Sequence, residues 1–385
     1  MSLTATAQSQ VRRIPFLPWR RLGQFDWALL AAVVIAVAAG LAMIHSATLR
    51  MGNTGQVWDD LVVKQLVFAA VGFVVLACVT LTEYRLGIAL WAWLYGGVLV
   101  LLVLNLMFGK SSGGAERWLS LGFIDLQPSE FTKVILILSL AAYFERFDVR
   151  KFRHVFGSLA LAAVPMALVI MQPNLSTTIL LLAIWLGMAV AAGIRPMHFS
   201  LLALLGAPAV VAMFKLDLIK SYQLIRVLAW LDPQFDPGHF GFQNIQTLIA
   251  VGNGQLWGTG FAHGSQTQGN WLPLPYADNI FALVAEELGF VGGLAVLMLL
   301  GFIIWRVFRA ASLAQDRAGG LVVAGIGTYL LVQTFVNVGV VLQLLPVTGL
   351  SLPFISYGGS SLVALFVAIG VVQSVLVRRK PLEFH

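Results

Sequence analysis

Long apolar runs separated by short polar segments recur along almost the whole 385-residue chain. Many reach the roughly 20 residues that an α-helix needs to cross a hydrocarbon core. Because a span has to satisfy its own backbone polar groups, such runs predict helices. We therefore expect an all-α integral membrane protein. The runs predict about ten transmembrane helices, at 26–46, 61–82, 86–108, 129–145, 155–171, 174–193, 197–214, 278–307, 319–342 and 355–378.

The flanking segments define a tail at 1–25, a polytopic membrane domain at 26–378 and a second tail at 379–385. Ten spans place both tails on the same side. Sixteen of the 24 Lys and Arg residues fall in segments on that side, against six on the other and two within spans. Because positive charge is retained in the cytoplasm, this asymmetry predicts an N-in, C-in orientation.

The connection at 215–277, between the seventh and eighth predicted helices, is far longer than a connector needs to be. Long connections are usually functional or disordered. This one mixes tryptophan and phenylalanine with glycine and is not of low complexity. We expect a partly ordered outer loop with short interfacial helices.

Composition supports the membrane class and excludes others. Hydrophobic residues make up 59% of the chain and charged residues 11%, and the mean hydropathy is +0.88. These values lie far outside the range of a soluble domain of this length. The net charge of +7 does not indicate nucleic-acid binding, because the basic residues cluster at the ends of apolar runs, as topology signals do. The single cysteine, Cys78, excludes an intrachain disulfide.

Ionisable residues in or beside spans are few, and charge there is costly enough to indicate function. Glu130 and Lys133 are three residues apart at the outer start of the fourth span, on one helix face. They are either a structural ion pair or part of a site. Arg117 and Trp118 lie just before them in a glycine-flexible outer loop, as either an interfacial anchor or a ligand contact.

Asp278 opens the eighth predicted span after a proline-rich segment, where aspartate is a favourable N-cap. Taken alone, a cap is its simplest role. Glu286 and Glu287 follow about 12 to 13 Å deeper along the helix. At least one of them has to point into the bundle. Carboxylates at the mouth and within the length of one helix indicate a polar cavity open to the outside.

The segment 346–361 leads into the last span and is rich in proline, glycine and serine. Broken backbone at membrane depth has to be buried or line a cavity. Backbone and hydroxyl groups there, including those of Ser356, Gly358 and Ser360, could hold a phosphate. The alternative is a plain re-entrant turn.

An ordered set of motifs resembles the SEDS family (shape, elongation, division and sporulation), which includes RodA and FtsW. The short N-terminal tail and the near-minimal length favour the RodA branch. The motifs are Phe25-Asp-Trp27, Glu116-Arg-Trp-Leu119, Gln127-Pro-Ser-Glu130, Gln172-Pro-Asn-Leu175, Asp278-Asn-Ile-Phe-Ala282, Glu286-Glu-Leu-Gly289 and the stretch from Leu352 to Ser361.

The resemblance implies a peptidoglycan glycosyltransferase that polymerises lipid II, a polyprenyl-linked disaccharide precursor, into β-1,4 glycan at the outer face of the bacterial cytoplasmic membrane. It implies a class B penicillin-binding protein and other elongation or division proteins as partners. It also places Asp278 on the family's essential acidic residue, and Arg117, Trp118, Glu130 and Lys133 in its central cavity.

The implied chemistry suits these residue types. Inversion at the sugar needs one displacement, in which a carboxylate deprotonates the acceptor hydroxyl, and Asp278 is the candidate base. The leaving diphosphate develops negative charge, which would be stabilised by Arg117 and Lys133 or by a bound divalent cation such as Mg or Mn. Glu130 would hold Lys133 in position.

The chain departs from the family's usual pattern at several positions. Asn174 and Ser176 replace a carboxylate and a glycine, Tyr276 and Ala277 replace a histidine-containing pair, and Gln343 replaces a glycine. Two other functional classes stay open. Broken helices and buried charges also suit a flippase or transporter of the same precursor, and the third class is a non-catalytic scaffold of the elongation or division machinery.

Overall fold

A computed structural model describes residues 23–49, 60–112, 115–120, 125–198, 200, 204 and 221–379. The described residues are predominantly helical, which confirms the all-α class. The helices are α1 (Trp27–Thr48), α2 (Leu61–Leu81), α3 (Tyr84–Ala89), α4 (Trp91–Phe108), α5 (Pro128–Arg146), α6 (Phe152–Met171), α7 (Leu175–Ala191), α8 (Ser221–Leu231), α9 (Phe240–Gly254), α10 (Ser265–Gln268), α11 (Ile280–Ser312), α12 (Arg317–Val341) and α13 (Gly359–Val377).

Seven of the described helices, α1, α2, α4, α6, α11, α12 and α13, are long and apolar enough to cross a membrane. Two more predicted spans, 174–193 and 129–145, coincide with helices α7 and α5. Helix α7 is apolar but shorter, and α5 carries Glu130 in its first turn. The predicted span at 197–214 lies almost entirely outside the described residues. The orientation and the division into tails and membrane domain stay predictions.

Burial separates inner from outer helices. The apolar window of α13 is 83% buried and that of α12 is 61% buried, against 22% for α2 and 17% for α4. Helix α13 packs against α2, α5 and α12, and α12 also packs against α11, α7 and α5. Since lipid replaces water around a span, exposed apolar faces such as those of α2 and α4 are expected. The bundle is therefore organised around α12 and α13.

Asp278 does not open a helix. Helix α11 begins at Ile280, with Asn279 in the N-cap position and no side-chain cap. The first helical bonds run from Ala282 and Leu283 to the carbonyl of Asn279. The N-cap role for Asp278 is therefore wrong, because the turns that follow the prolines continue through residue 279. The helix begins two residues after the predicted start of the span, and the bounds of the span stay a prediction.

Two predicted spans are interrupted. The span at 86–108 is divided at Leu90, whose φ of −89° and ψ of 8° end α3 before α4 begins. Helix α11 is broken at Gly289, whose φ of 69° and ψ of −167° suit only glycine. Two N–H groups of the segment 255–260 donate to the carbonyls of 286–287, both at 3.0 Å, and two of its carbonyls accept from 290–291, at 2.8 and 3.2 Å. The inserted segment therefore satisfies the backbone groups that the break releases.

Two regions predicted as loops are ordered. The described part of the 215–277 connection contains α8, α9 and α10, in agreement with the expected partial order. Residues 115–120 form a strand rather than a flexible loop, because β1 (Lys110–Ser112) and β3 (Asp125–Leu126) offer antiparallel partners to β2 (Ala115–Ser120) on its two sides.

Candidate active site

Three buried polar side chains, Tyr329, Gln333 and Asn337, follow one face of α12. They are spaced four residues apart, which stacks them on one side of a helix. A polar row inside an otherwise apolar span is costly unless it is bonded to neighbouring elements. Tyr329 and Gln333 both contact Lys133. Gln333 and Asn337 also bond the segment 346–361, and α12 is therefore the element that holds the site together.

The predicted ion pair between Glu130 and Lys133 is formed in the first turns of α5. Lys133 is 0% exposed, and its Nζ lies 2.7 Å from Glu130 Oε2. The same ammonium lies 3.5 Å from Gln333 Oε1 and 4.9 Å from the centre of the Tyr329 ring. Because an unpaired charge in the bundle would be strongly unfavourable, this set of contacts accounts for the burial of Lys133.

Helix α12 also holds the segment 346–361 and the turn of Asp278. Gln333 Nε2 donates to the carbonyl of Ser351 at 2.8 Å. One turn further, Asn337 Nδ2 donates to the carbonyls of Asp278 at 2.9 Å and Leu350 at 2.7 Å. These bonds connect the buried ion pair to the turn that carries Asp278.

Asp278 is half-buried beside Gly349. Gly349 has a φ of 79°, and a Cβ built on it would lie 3.4 Å from Asp278 Oδ2. The neighbouring carbonyl of Thr348 accepts hydrogen bonds from Ser176 Oγ and, at 3.4 Å, from Arg226 Nη1. The chain next to the carboxylate is therefore held from two further helices, α7 and α8.

Tyr276 supplies a polar group near Asp278 in place of the family's usual histidine. Burial raises the pKa of Tyr276, and the charge of Asp278 raises it further. Its phenol therefore stays protonated at neutral pH. The ring meets that of Tyr357 edge-on, with centres 5.8 Å apart, and the Tyr276 carbonyl accepts from the Tyr357 N–H at 2.8 Å.

The predicted phosphate-binding groups of the segment 346–361 are bonded within the protein. Ser356 Oγ donates to the carbonyl of Ala277, next to Asp278, at 2.7 Å. The Gly358 N–H donates to Gln65 Oε1 at 3.2 Å, and Ser360 Oγ donates to a β3 carbonyl at 3.2 Å. These bonds fix the segment against α2, β3 and the Asp278 turn. A substrate-binding role for the three residues stays a prediction.

Arg117 and Trp118 lie on β2. Trp118 pairs with Lys110 of β1, and its side chain is partly exposed. The side chain of Arg117 lies outside the described part of the structure. Their predicted contacts with substrate are therefore still predictions.

Glu286 and Glu287 do not line an open cavity, because both are 0% exposed. Glu286 accepts from the backbone N–H groups of Gln266 at 2.7 Å and Thr267 at 3.1 Å. Glu287 Oε1 accepts from Ser46 Oγ of α1 at 2.5 Å. Both carboxylates instead fasten neighbouring segments to α11 just before its break at Gly289.

The departures from the family pattern have visible structural roles. Asn174 caps α7 by accepting from the Thr177 N–H at 3.2 Å, a role that needs no charge. Ser176 adds the hydroxyl that bonds the Thr348 carbonyl. Gln343 adopts a φ of 58°, which explains physically why a glycine is usual at this position.

Sequence reasoning missed Gln333, Asn337, Ser351 and Arg226 as members of the site. The four-residue spacing of polar residues in the span of α12 was a signal that could have found the first two. Within the part of the chain that the structure describes, no group of three His, Cys, Asp or Glu side chains could hold a metal ion.

These features define a multi-pass α-helical membrane protein with a polar site formed by α5, α12, the segment 346–361 and the turn before α11. The family model of the FtsW, RodA and SpoVE cell cycle proteins matches residues 26–381, and the chain belongs to this family, the SEDS family.

Comparisons with individual proteins agree. Stage V sporulation protein E of Bacillus subtilis is 34% identical over 369 residues, which cover 91% of this chain and 96% of the relative. Peptidoglycan glycosyltransferase MrdB of Escherichia coli is 39% identical over 296 residues, which cover 76% of this chain and 80% of the relative. A chain from a solved peptidoglycan synthase complex is similar with a TM-score of 0.78 and 29% identity, covering 92% of this chain and 98% of that one.

Proposed function

We propose that this chain is a peptidoglycan glycosyltransferase of cell-wall synthesis, which polymerises lipid II into β-1,4 glycan strands. MrdB, which is 39% identical, carries the name of this activity. The observation that carries the proposal is the attachment of both the Asp278 turn and the Glu130–Lys133 pair to one face of α12. That arrangement combines a partly accessible carboxylate with a fixed charge pair.

Asp278 is the proposed general base. The acceptor hydroxyl attacks the anomeric carbon of the donor sugar, its proton passes to the Asp278 carboxylate, and the bond from that carbon to the diphosphate oxygen breaks. One displacement inverts the configuration at the sugar. Asp278 is half-buried rather than enclosed, and the bond from Asn337 fixes the backbone that carries it.

The leaving diphosphate has to be stabilised as its negative charge develops. We assign this to Arg117 and Lys133. Lys133 is fully enclosed behind Gln333, so its charge acts through the electrostatic potential at the site rather than by direct contact in this structure. Glu130 keeps Lys133 positioned and lowers the cost of its burial. No step of this mechanism passes through a metal ion.

The proposed location is the bacterial cytoplasmic membrane, with Asp278 at its outer face, as the distribution of Lys and Arg predicts. The proposed partners are a class B penicillin-binding protein and other elongation or division proteins. The similar chain from a complex that coordinates polymerization and crosslinking supports a transpeptidase partner. Assignment to the RodA branch stays a prediction.

The test combines the purified chain, a class B penicillin-binding protein blocked in crosslinking, and labelled lipid II. Glycan ladders on a gel are expected from the wild-type chain, while the partner alone gives none. A parallel assay follows the transfer of labelled lipid II across liposomes that contain the chain. Transfer without glycan formation would contradict the enzyme and favour a flippase, and neither activity would favour a scaffold.

A further inference from the structure

A second polar site lies at the opposite end of the bundle from Asp278. A cavity of about 180 Å³ opens between the start of α1 and the ends of α11 and α13. Its charged lining residues are Asp26, Arg306, Arg309 and Arg379. Arg306 lies 17 residues beyond the break at Gly289, about 25 Å along the helix at 1.5 Å per residue, and Asp278 precedes the part of α11 on the other side of the break, so this cavity takes no part in the proposed transfer chemistry.

One of the three arginines is neutralised inside the protein. Arg306 donates to Asp26 through Nε at 2.9 Å and through Nη2 at 2.5 Å. The Asp26 carboxylate also caps α1. The Asp26 N–H donates to Gln373 Oε1 at 3.0 Å, and Gln373 Nε2 donates to the Asp26 carbonyl at 2.9 Å. The Asp26–Arg306 pair therefore forms a fixed wall of the cavity.

The other two arginines have no carboxylate partner among the described residues. Neither Arg309 nor Arg379 forms an ion pair there. The guanidinium groups of Arg306 and Arg309 lie 5.8 and 5.6 Å from the centre of the Trp305 ring, which holds both near the cavity. The two positive charges are not compensated by the described lining, and like charges held close together repel. An anion in the cavity would relieve this repulsion and would itself be stabilised by both arginines.

The surroundings indicate that this anion comes from a lipid. Trp305 is 52% exposed, Trp27 is 64% exposed and Phe302 is 39% exposed, all on helices long and apolar enough to span a membrane. Exposed aromatic side chains at the ends of spans lie at the level of the lipid headgroups. Basic pockets between spans at this depth bind anionic headgroups.

We propose that this cavity binds the phosphate group of an anionic phospholipid, with Arg309 and Arg379 as its ligands and with Trp305 packed against the Arg309 guanidinium. Two simpler roles are available to the arginines. Arg309 lies in the last turn of α11, where it also complements the helix dipole, and both residues add to the positive charge that orients the chain. Neither role requires selective binding of one lipid. A measurement of lipid selectivity therefore distinguishes these two roles from the proposed lipid site.

The experiment titrates the detergent-purified full-length chain with short-chain phosphatidylglycerol, short-chain phosphatidylcholine and soluble glycerol phosphate, and counts bound molecules by native mass spectrometry. The variant Arg309→Gln/Arg379→Gln removes the two uncompensated charges. Arg309→Lys/Arg379→Lys keeps the charge, and Arg150→Gln/Lys151→Gln removes two exposed charges elsewhere on the same predicted side. Melting temperature and gel filtration check that each variant is folded.

The wild-type chain is expected to bind one phosphatidylglycerol in preference to phosphatidylcholine. At roughly 1 kcal/mol for each basic residue, the double Gln variant should bind it about thirtyfold more weakly, while the Arg150 and Lys151 control binds as the wild type does.

If the double Gln variant fails to fold, the double Lys variant provides the test. It keeps the charges but loses the planar guanidinium groups, so weaker binding of phosphatidylglycerol by this variant would also support the proposal. Equal binding of both lipids, or wild-type affinity in a folded double Gln variant and in the double Lys variant, would overturn the proposal. Glycerol phosphate binding as tightly as phosphatidylglycerol would overturn the assignment to a lipid.

Discussion

Asp26 and Asp278 each precede a long helix, at opposite ends of the bundle, and the protein holds them in different ways. At Asp26 the side chain itself is bonded, because its oxygens accept from Arg306 and from the first turn of α1. At Asp278 the backbone carbonyl is bonded by Asn337, and the carboxylate lies half-buried beside Gly349.

The comparison distinguishes a structural carboxylate from a proposed reactive one. A carboxylate whose oxygens are occupied by an arginine and a helix start stabilises the fold. At Asp278 the turn is fixed through its backbone carbonyl, so the carboxylate can accept a proton while the turn stays in place. Substitutions around Asp26 should therefore mainly lower stability, whereas substitutions around Asp278 should mainly lower activity.

The largest expected effect on stability is an exception to this pattern, because it concerns the buried Glu130–Lys133 pair at the Asp278 end of the bundle. Lys133→Met leaves Glu130 charged and without its cation, which should lower the free energy of unfolding by about 3 to 5 kcal/mol. Thermal melting in detergent measures this loss. The double variant Glu130→Gln/Lys133→Met should recover most of it, and a double variant as unstable as the single one would contradict the charge argument.

Asn337→Ala should act on the other half of the comparison. Loss of the bond to the Asp278 carbonyl should displace the base and lower the rate of glycan formation about a hundredfold for each folded molecule. Thr334→Ala is the matched control, since Thr334 Oγ1 is buried on the same helix and has no hydrogen-bond partner among the described residues. Similar rates for the two variants would show that Asn337 does not position Asp278.

Asp26→Asn should show the opposite pattern. The asparagine can still cap α1, but the charge-assisted bonds to Arg306 are weakened, at a cost of about 1.5 to 3 kcal/mol. The melting temperature should fall, while the rate for each folded molecule stays near that of the wild type. A severe loss of rate in the folded variant would remove the distinction between the two aspartates.

The smallest expected effect concerns Gln343, which follows the end of α12. Gln343→Gly should raise the free energy of unfolding by less than about 1 kcal/mol, because relief of the unfavourable φ of 58° outweighs the loss of the long Gln343 Nε2 hydrogen bonds of 3.4 to 3.5 Å. The same substitution at Leu342, whose φ is −84°, should lower stability and serves as the control. Thermal melting of the two variants measures the difference, and a destabilised Gln343→Gly variant would contradict the strain argument.

Local features of this fold could be predicted from the sequence. Apolar runs gave the helices, and three-residue spacing gave the Glu130–Lys133 pair, because both depend on residues close together in the chain. Motifs gave the family and drew attention to Asp278. Local reasoning was wrong about the N-cap of α11, because the turns after the prolines continue to Asn279 and Asp278 does not cap the helix.

Features that depend on distant residues could not be predicted. Asp26 meets Arg306 across 280 positions, and Asn337 reaches the Asp278 carbonyl across 59. The break at Gly289 is stable only because the segment 255–260 supplies bonds to both sides of it. Spacing along one helix contains no information about which segment will approach it, so these contacts require the folded structure.

The most direct test of the account is glycan formation by Asp278→Asn, which keeps the shape of the side chain and removes its basicity. The variant is purified with its transpeptidase partner, checked for an unchanged melting temperature and supplied with labelled lipid II. The account predicts that it still binds lipid II but forms no detectable glycan, a loss of at least about a hundredfold. Glycan formation within a few-fold of the wild-type rate by the folded variant would contradict the assignment of Asp278 as the base.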